Sequence, residues 1–191
     1  MTRFLVTAAI ALTFICSSAL ARGPYGQIQI GNWNGGAYTN DQSGQFSHCA
    51  AGTQYLSGVH FLVSVNNNMD WMLGFIGKDW QLKIGEVIPL ELTFDGRTPV
   101  HVYGNAIQTA FVVVQMPPNS QLVQQFRNAT QMTALAKGQL FTFNLTATSH
   151  LLPALVNCMN QAKSGVALSS IVIKERTRRP PTASRPTGPT G

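Results

Sequence analysis

Apolar residues alternate with polar ones through most of this chain, the period of strands that bury one face. Residues 59–65 set Val59, Phe61, Val63 and Val65 against His60, Leu62 and Ser64. The loop Asn66-Asn67-Asn68-Met69-Asp70 then predicts a return strand over 71–76. Residues 80–84 (Trp-Gln-Leu-Lys-Ile) alternate over five positions and read as a further strand. Residues 87–94 and 100–107 flank Asp95-Gly96, a strong hairpin signal. In 109–116 the run Phe111-Val112-Val113-Val114 predicts a strand buried on both faces. Nearer the start, 27–33 alternate and Asn34-Gly35-Gly36 is expected to turn the chain. Residues 37–40 and 45–49 flank Asp41-Gln42-Ser43-Gly44, where Asn and Asp side chains bond their own backbone and Gly takes the left-handed position.

The period changes after Pro117-Pro118. Asn119 or Ser120 is expected to cap a helix whose Leu122, Phe126 and Ala129 form one stripe. Strands over 132–136 and 140–145 follow, with a turn at Gly138. Thr148 or Ser149 is expected to cap a closing helix through Lys163, with Leu151, Leu155, Cys158 and Ala162 on one face and Pro153 near its first turn. Residues 166–173 read equally as an edge strand or an apolar stub. Strands, a helix, two strands and a helix predict a mainly β fold with two peripheral helices, an antiparallel β-sandwich or small barrel.

Three segments divide the chain. Residues 1–21 have the form of a cleaved signal peptide: Arg3, an apolar run over 4–16, then Ala19-Leu20-Ala21 as the cleavage site. Periplasmic or secreted localisation follows as an expectation, with a mature chain that lacks a transmembrane segment. Residues 22–173 read as a single β-rich domain, and 174–191 as a disordered basic tail of Arg, Pro and Thr. The formal charge of +6 is unevenly placed. Seven basic residues against six acids leave 22–173 at +1, whereas five against one leave 174–191 at +4. Charged residues are only 10% of the chain, so no clustered basic face is expected and specific nucleic-acid binding is not.

With Cys16 in the leader, two cysteines remain, and export predicts a Cys49–Cys158 disulfide. Closing a loop of that length would add roughly 4–5 kcal/mol in the chain-entropy model. The competing reading makes Cys49 a nucleophile beside His48, but neighbours on a strand point to opposite faces. Histidines 48, 60, 101 and 150 have no ligand spacing, so no metal and no cofactor are expected. Asp41, Asp70 and Asp95 stand in turn positions where Asp has a structural role, and no catalytic motif emerges. Trp33, Tyr38, Trp71, Trp80 and Tyr103 could line a binding face, although large aromatics more often fill a core. Lys174, Arg176, Arg178, Arg179 and Arg185 could contact an anionic surface or polymer, or form a solvated terminus.

The stretch W-N-G-G-A-Y-T-N-D-Q-S-G-Q-F-S-H-C-A-A (33–51), with L-F-T-F-N-L-T-A-T-S-H-L-L-P-A-L-V-N-C (140–158), resembles a family of exported alphaproteobacterial proteins without an assigned function. In some of them a similar domain precedes a trypsin-like peptidase domain. The W-x-L-x-x-G pattern at Trp80 and the closing helix are similar to the invasion-associated locus B proteins. The first resemblance implies an accessory or recognition module. The expected function is therefore a non-catalytic exported binding or accessory domain acting on a protein or envelope polymer. The alternatives are an envelope structural or virulence-associated protein like the locus B family, and a hydrolase using Asp/Glu or Cys49–His48.

Overall fold

In the computed structural model, which describes residues 23–175, the alternating runs become strands of one sheet. They are β1 (Tyr25–Ile30), β2 (Trp33–Thr39), β3 (Phe46–Gln54), β4 (Val59–Asn66), β5 (Trp71–Gly77), β6 (Val87–Phe94), β7 (Val100–Gln108), β8 (Phe111–Gln115), β9 (Gln131–Ala136), β10 (Gln139–Asn144) and β11 (Val172–Lys174). Helix α1 (Ser120–Asn128) precedes β9, and α2 (Thr148–Lys163) follows β10. The strand order is β10-β9-β6-β7-β8-β5-β4-β3-β2-β1-β11, antiparallel except for β1 with β11. The fold is thus mostly β with two helices, one large sheet not closed into a barrel, and a disulfide.

The large apolar side chains of the strands gather on one face of the sheet, while β2, β3 and β5 also bury small residues of the other, Gly36, Ala50 and Gly74. On β4 the inward residues are Val59, Phe61, Val63 and Val65, as the alternation predicts. Helix α2 lies over β1 to β4 with Leu151, Leu155, Cys158 and Met159 buried. The other half of the sheet curls back over the same face. Phe143 on β10 stands 5.0 Å from the Phe61 ring on β4 and 5.5 Å from Phe75 on β5. Helix α1, capped by Asn119, inserts Phe126 between Trp71 (5.4 Å) and Phe94 (6.2 Å).

Cys49 on β3 and Cys158 on α2 are bonded, with their Cα atoms 6.2 Å apart across a sequence separation of 109. A sulfur so engaged offers no thiolate, which removes the Cys49–His48 nucleophile. Strand β11 realises the edge-strand reading of the segment after α2, and Glu175 N–H extends the pairing by donating to the Gln29 carbonyl (3.1 Å).

Three local expectations are corrected. Asn34-Gly35-Gly36 is not a turn but the middle of β2, the turn falling at Gly31-Asn32. A Cβ on Gly35 would collide with the Ala50 carbonyl, and one on Gly36 with that of Tyr25, so these glycines permit close strand approach. Residues 80–84 form no strand. Trp80 N–H donates back to the Gly77 carbonyl, and Leu82 N–H reaches Thr109 O (2.8 Å), so the run crosses the sheet end as an irregular arm. The N-cap of α2 is Ala147, in a left-handed conformation without a side-chain cap. Thr148 Oγ1 instead donates to the carbonyls of Leu145 and Arg127. The signal peptide over 1–21 lies outside the described residues.

Replacing both cysteines (Cys49→Ala/Cys158→Ala) should cost about 4 kcal/mol from the loop length. Calorimetry should then show the melting temperature lowered by roughly 10 °C.

Candidate functional site

The curl leaves a gap. Between β10 and the Trp80 arm lies a pocket of about 380 Å³, within the range of small-ligand sites. Ile88 and Leu90 of β6 and Val112 of β8 line its depth, Ala134, Ala136, Phe141 and Phe143 the β9–β10 side, and Phe75, Trp80 and Leu82 the other. Its polar contributors are Asp79, Gln81, Lys137 and Gln139.

Trp80 is placed by Gly77. The indole lies so close over this residue that a Cβ there would overlap the ring, and it meets Phe141 edge-on at 5.8 Å. Lys137, in the β9–β10 turn, donates to Glu86 Oε1 at 2.7 Å. That bond, with the Lys83 N–H to Glu86 Oε2, holds the exposed Glu86 carboxyl below its ordinary value. At the far end of β10 the Tyr55 hydroxyl donates to the Asn144 carbonyl (2.6 Å). Burial pushes the Tyr55 phenol up to about 12, so it remains a donor.

The five aromatics singled out in the sequence do not share a face. Trp33 (1% exposed) and Trp71 (5%) are core residues, corrected from candidate surface. Their indole N–H groups donate to the Thr146 and Pro117 carbonyls, which satisfies the polar atom that burial would otherwise strand. Tyr38 stacks on His48 with ring centroids 5.1 Å apart, on the outer side of β2 and β3. Tyr103 stands 68% exposed on β7, opposite Pro89. Only Trp80 reaches the pocket. Of the tail residues, Lys174 lies exposed on β11, whereas Arg176, Arg178, Arg179 and Arg185 lie outside the described residues.

Sequence reasoning missed Phe141, Ala134, Ala136 and Gly77 as site residues. The first three look like ordinary inward positions of strands, and only the curl shows that their face is incompletely covered. The one available signal was the alternation at Trp80-Gln81-Leu82, which marked an amphipathic segment but suggested a strand.

A second, shallower hollow of about 340 Å³ lies among Asn40, Ser43, Gln45, Phe46, Ser47 and residues 66–68. Much of its polar chemistry is already engaged in loop structure: Asn40 Oδ1 accepts from the N–H groups of Gln42 and Ser43, and Asn66 Oδ1 from those of Asn68 and Asp70. Among the described residues no three His, Cys, Asp or Glu side chains gather as a metal site requires, and no helix is long and apolar enough to cross a membrane.

Gly77→Ala should displace the Trp80 ring, costing about 1–3 kcal/mol as an overpacked contact. Tryptophan emission should shift to the red, since Trp33 and Trp71 stay buried, and the shift should vanish in Gly77→Ala/Trp80→Phe. A second expectation concerns His48, whose pKa is lowered from 6.5 by burial, partly offset by Asp41. Its neutral form is favoured when folded, so this stability is present above about pH 6.5 and is lost as pH falls towards the lowered value. The melting temperature of His48→Gln should therefore decline less between about pH 7 and pH 5 than that of the parent.

No family model matches the chain, and no curated protein matches it. Among solved structures it is weakly similar to the crystal structure of invasion associated protein B from Bartonella henselae. The identity is 14% and the TM-score 0.48, over 70% of this chain and 98% of that one.

Proposed function

We propose that this chain is a non-catalytic binding module whose pocket between β10 and the Trp80 arm receives an apolar group carried by a protein or envelope polymer. The observation that supports this is an open pocket whose depth is lined by Ile88, Leu90, Val112 and Phe143. Such a lining offers an apolar group about 25 cal/mol for each Å² it removes from water. Its ionisable members do not form an acid–base pair with each other: Lys137 is bound to Glu86, and Asp79 is exposed. The pocket therefore suits holding a group rather than transforming it.

1-Octanol tests the reading without knowledge of the natural partner. Titration should move the methyl resonances of Ile88, Leu90 and Val112 in a saturable way. Ala136→Trp, which fills the pocket, should abolish the shifts while the melting temperature holds. Shifts confined to other methyls, or unchanged by Ala136→Trp, would sink the assignment.

A further inference from the structure

We infer that the pocket is the side-chain half of a peptide-binding site whose backbone half is the free edge of β10: an extended, uncharged peptide strand pairs with Leu140 and Thr142 and lowers one large apolar side chain beside Phe141. This rests on the pocket being a binding site, and adds what binds there.

The register fixes which backbone groups are free. Lys137 and Gly138 both have positive φ (50° and 76°), so β9 and β10 are joined by a two-residue turn whose flanking residues, Ala136 and Gln139, exchange hydrogen bonds. Hydrogen-bonded pairs then recur at every second residue: Gln139, Phe141 and Phe143 bond to β9, and the Leu145 N–H continues the series to Thr130 O (2.8 Å). Leu140, Thr142 and Asn144 therefore turn their N–H and C=O groups outward. Tyr55 takes the Asn144 carbonyl. The amides and carbonyls of Leu140 and Thr142 have no protein partner among the described residues.

An antiparallel strand bonding to these two residues places its intervening residue opposite Phe141. Cross-strand neighbours point to the same face, so that residue's side chain enters the pocket. Charge selects the occupant. Exposed edges are normally blunted by Lys, Pro or bulges, yet no charged residue occurs from Gly138 to Ser149, and Leu140 is 65% exposed. The opposite edge, β11, is only three residues long and ends in Lys174. Segment 176–191 of this chain fits poorly, carrying four prolines and four arginines. A second copy fits no better: a two-fold β10 pair would set Phe141 against Phe141, whose ring is already packed on Trp80, and leave both pockets empty.

The probes are short acetylated, amidated Thr/Ser peptides with one central Phe, Leu or Ala, titrated into the full chain with its disulfide intact. The Phe and Leu peptides should bind, moving the amide resonances of Leu140 and Thr142, and the Ala peptide should bind at least roughly tenfold more weakly. N-methylation of the two residues flanking the central Phe, which removes their N–H donors, should weaken binding by a similar factor. Thr142→Pro should do so from the protein side, since that N–H is not bonded to β9. An N-methylated peptide that binds as well as its parent overturns the strand pairing. No binding up to about 1 mM while 1-octanol still enters the pocket overturns the peptide and leaves the pocket reading standing; failure of both removes both. Slow hydrogen exchange at Leu140 and Thr142 in the free chain, or concentration-dependent self-association lost in Thr142→Pro, would show the edge already taken and would equally overturn the proposal.

Discussion

A sheet with one apolar face must cover all of it, and here two helices are too few. Helix α2 covers the β1–β4 half, which the chain builds first. The remaining strands have only α1 at one end, so they bend until the sheet becomes its own cover. Phe143 is the contact on which this depends, because it brings β10, the first strand in the order, against Phe61 on β4 and Phe75 on β5, the seventh and sixth. Aromatic pairs at about 5 Å add to the area they bury, so the bend is favoured where these rings meet.

The pocket is what that solution leaves over. Where Phe143 touches β4 and β5 the two parts of the sheet are in contact. Towards Phe141 they diverge, and the Trp80 arm is laid across the widening space. Gly77 is the condition for that placement, since any side chain there would occupy the volume of the indole. The hollow and the unpaired edge of β10 therefore have one cause, a sheet that curls without closing.

Much of this was legible beforehand. Period-2 alternation at 59–65 and 87–94 and the Leu122/Phe126 stripe appear as read, and of the two caps offered for α1 Asn119 is the one used, because each is a local rule that the tertiary structure obeys. The pairing of Cys49 with Cys158 is expected once Cys16 is assigned to a leader, and the two sulfurs are indeed bonded. Other features depend on partners remote in sequence. Gly35 and Gly36 look like a turn until one knows that Ala50 and Tyr25 press against them. Trp33 and Trp71 have the composition of a binding face, and only the carbonyls of Thr146 and Pro117 show that their polar atoms are satisfied inside. The site was less legible still. Ala134, Ala136 and Phe141 alternate like core residues, and which strand stands at an edge is a property of the sheet order.

The order in which the chain is made matters for the contacts that finish β1 to β3 and Tyr55 just after it. β11 pairs with β1, Thr146 receives the Trp33 indole, Asn144 receives Tyr55, and Cys158 meets Cys49. Every one of these late partners lies beyond residue 143. A chain emerging from its N-terminus can form its early hairpins, whose contacts are local, but must hold their apolar face open until residues 144–174 have arrived. Premature termination anywhere before α2 would therefore yield an adhesive, unfinished sheet rather than a smaller stable protein, and fragments of this length are natural prey for quality-control proteolysis.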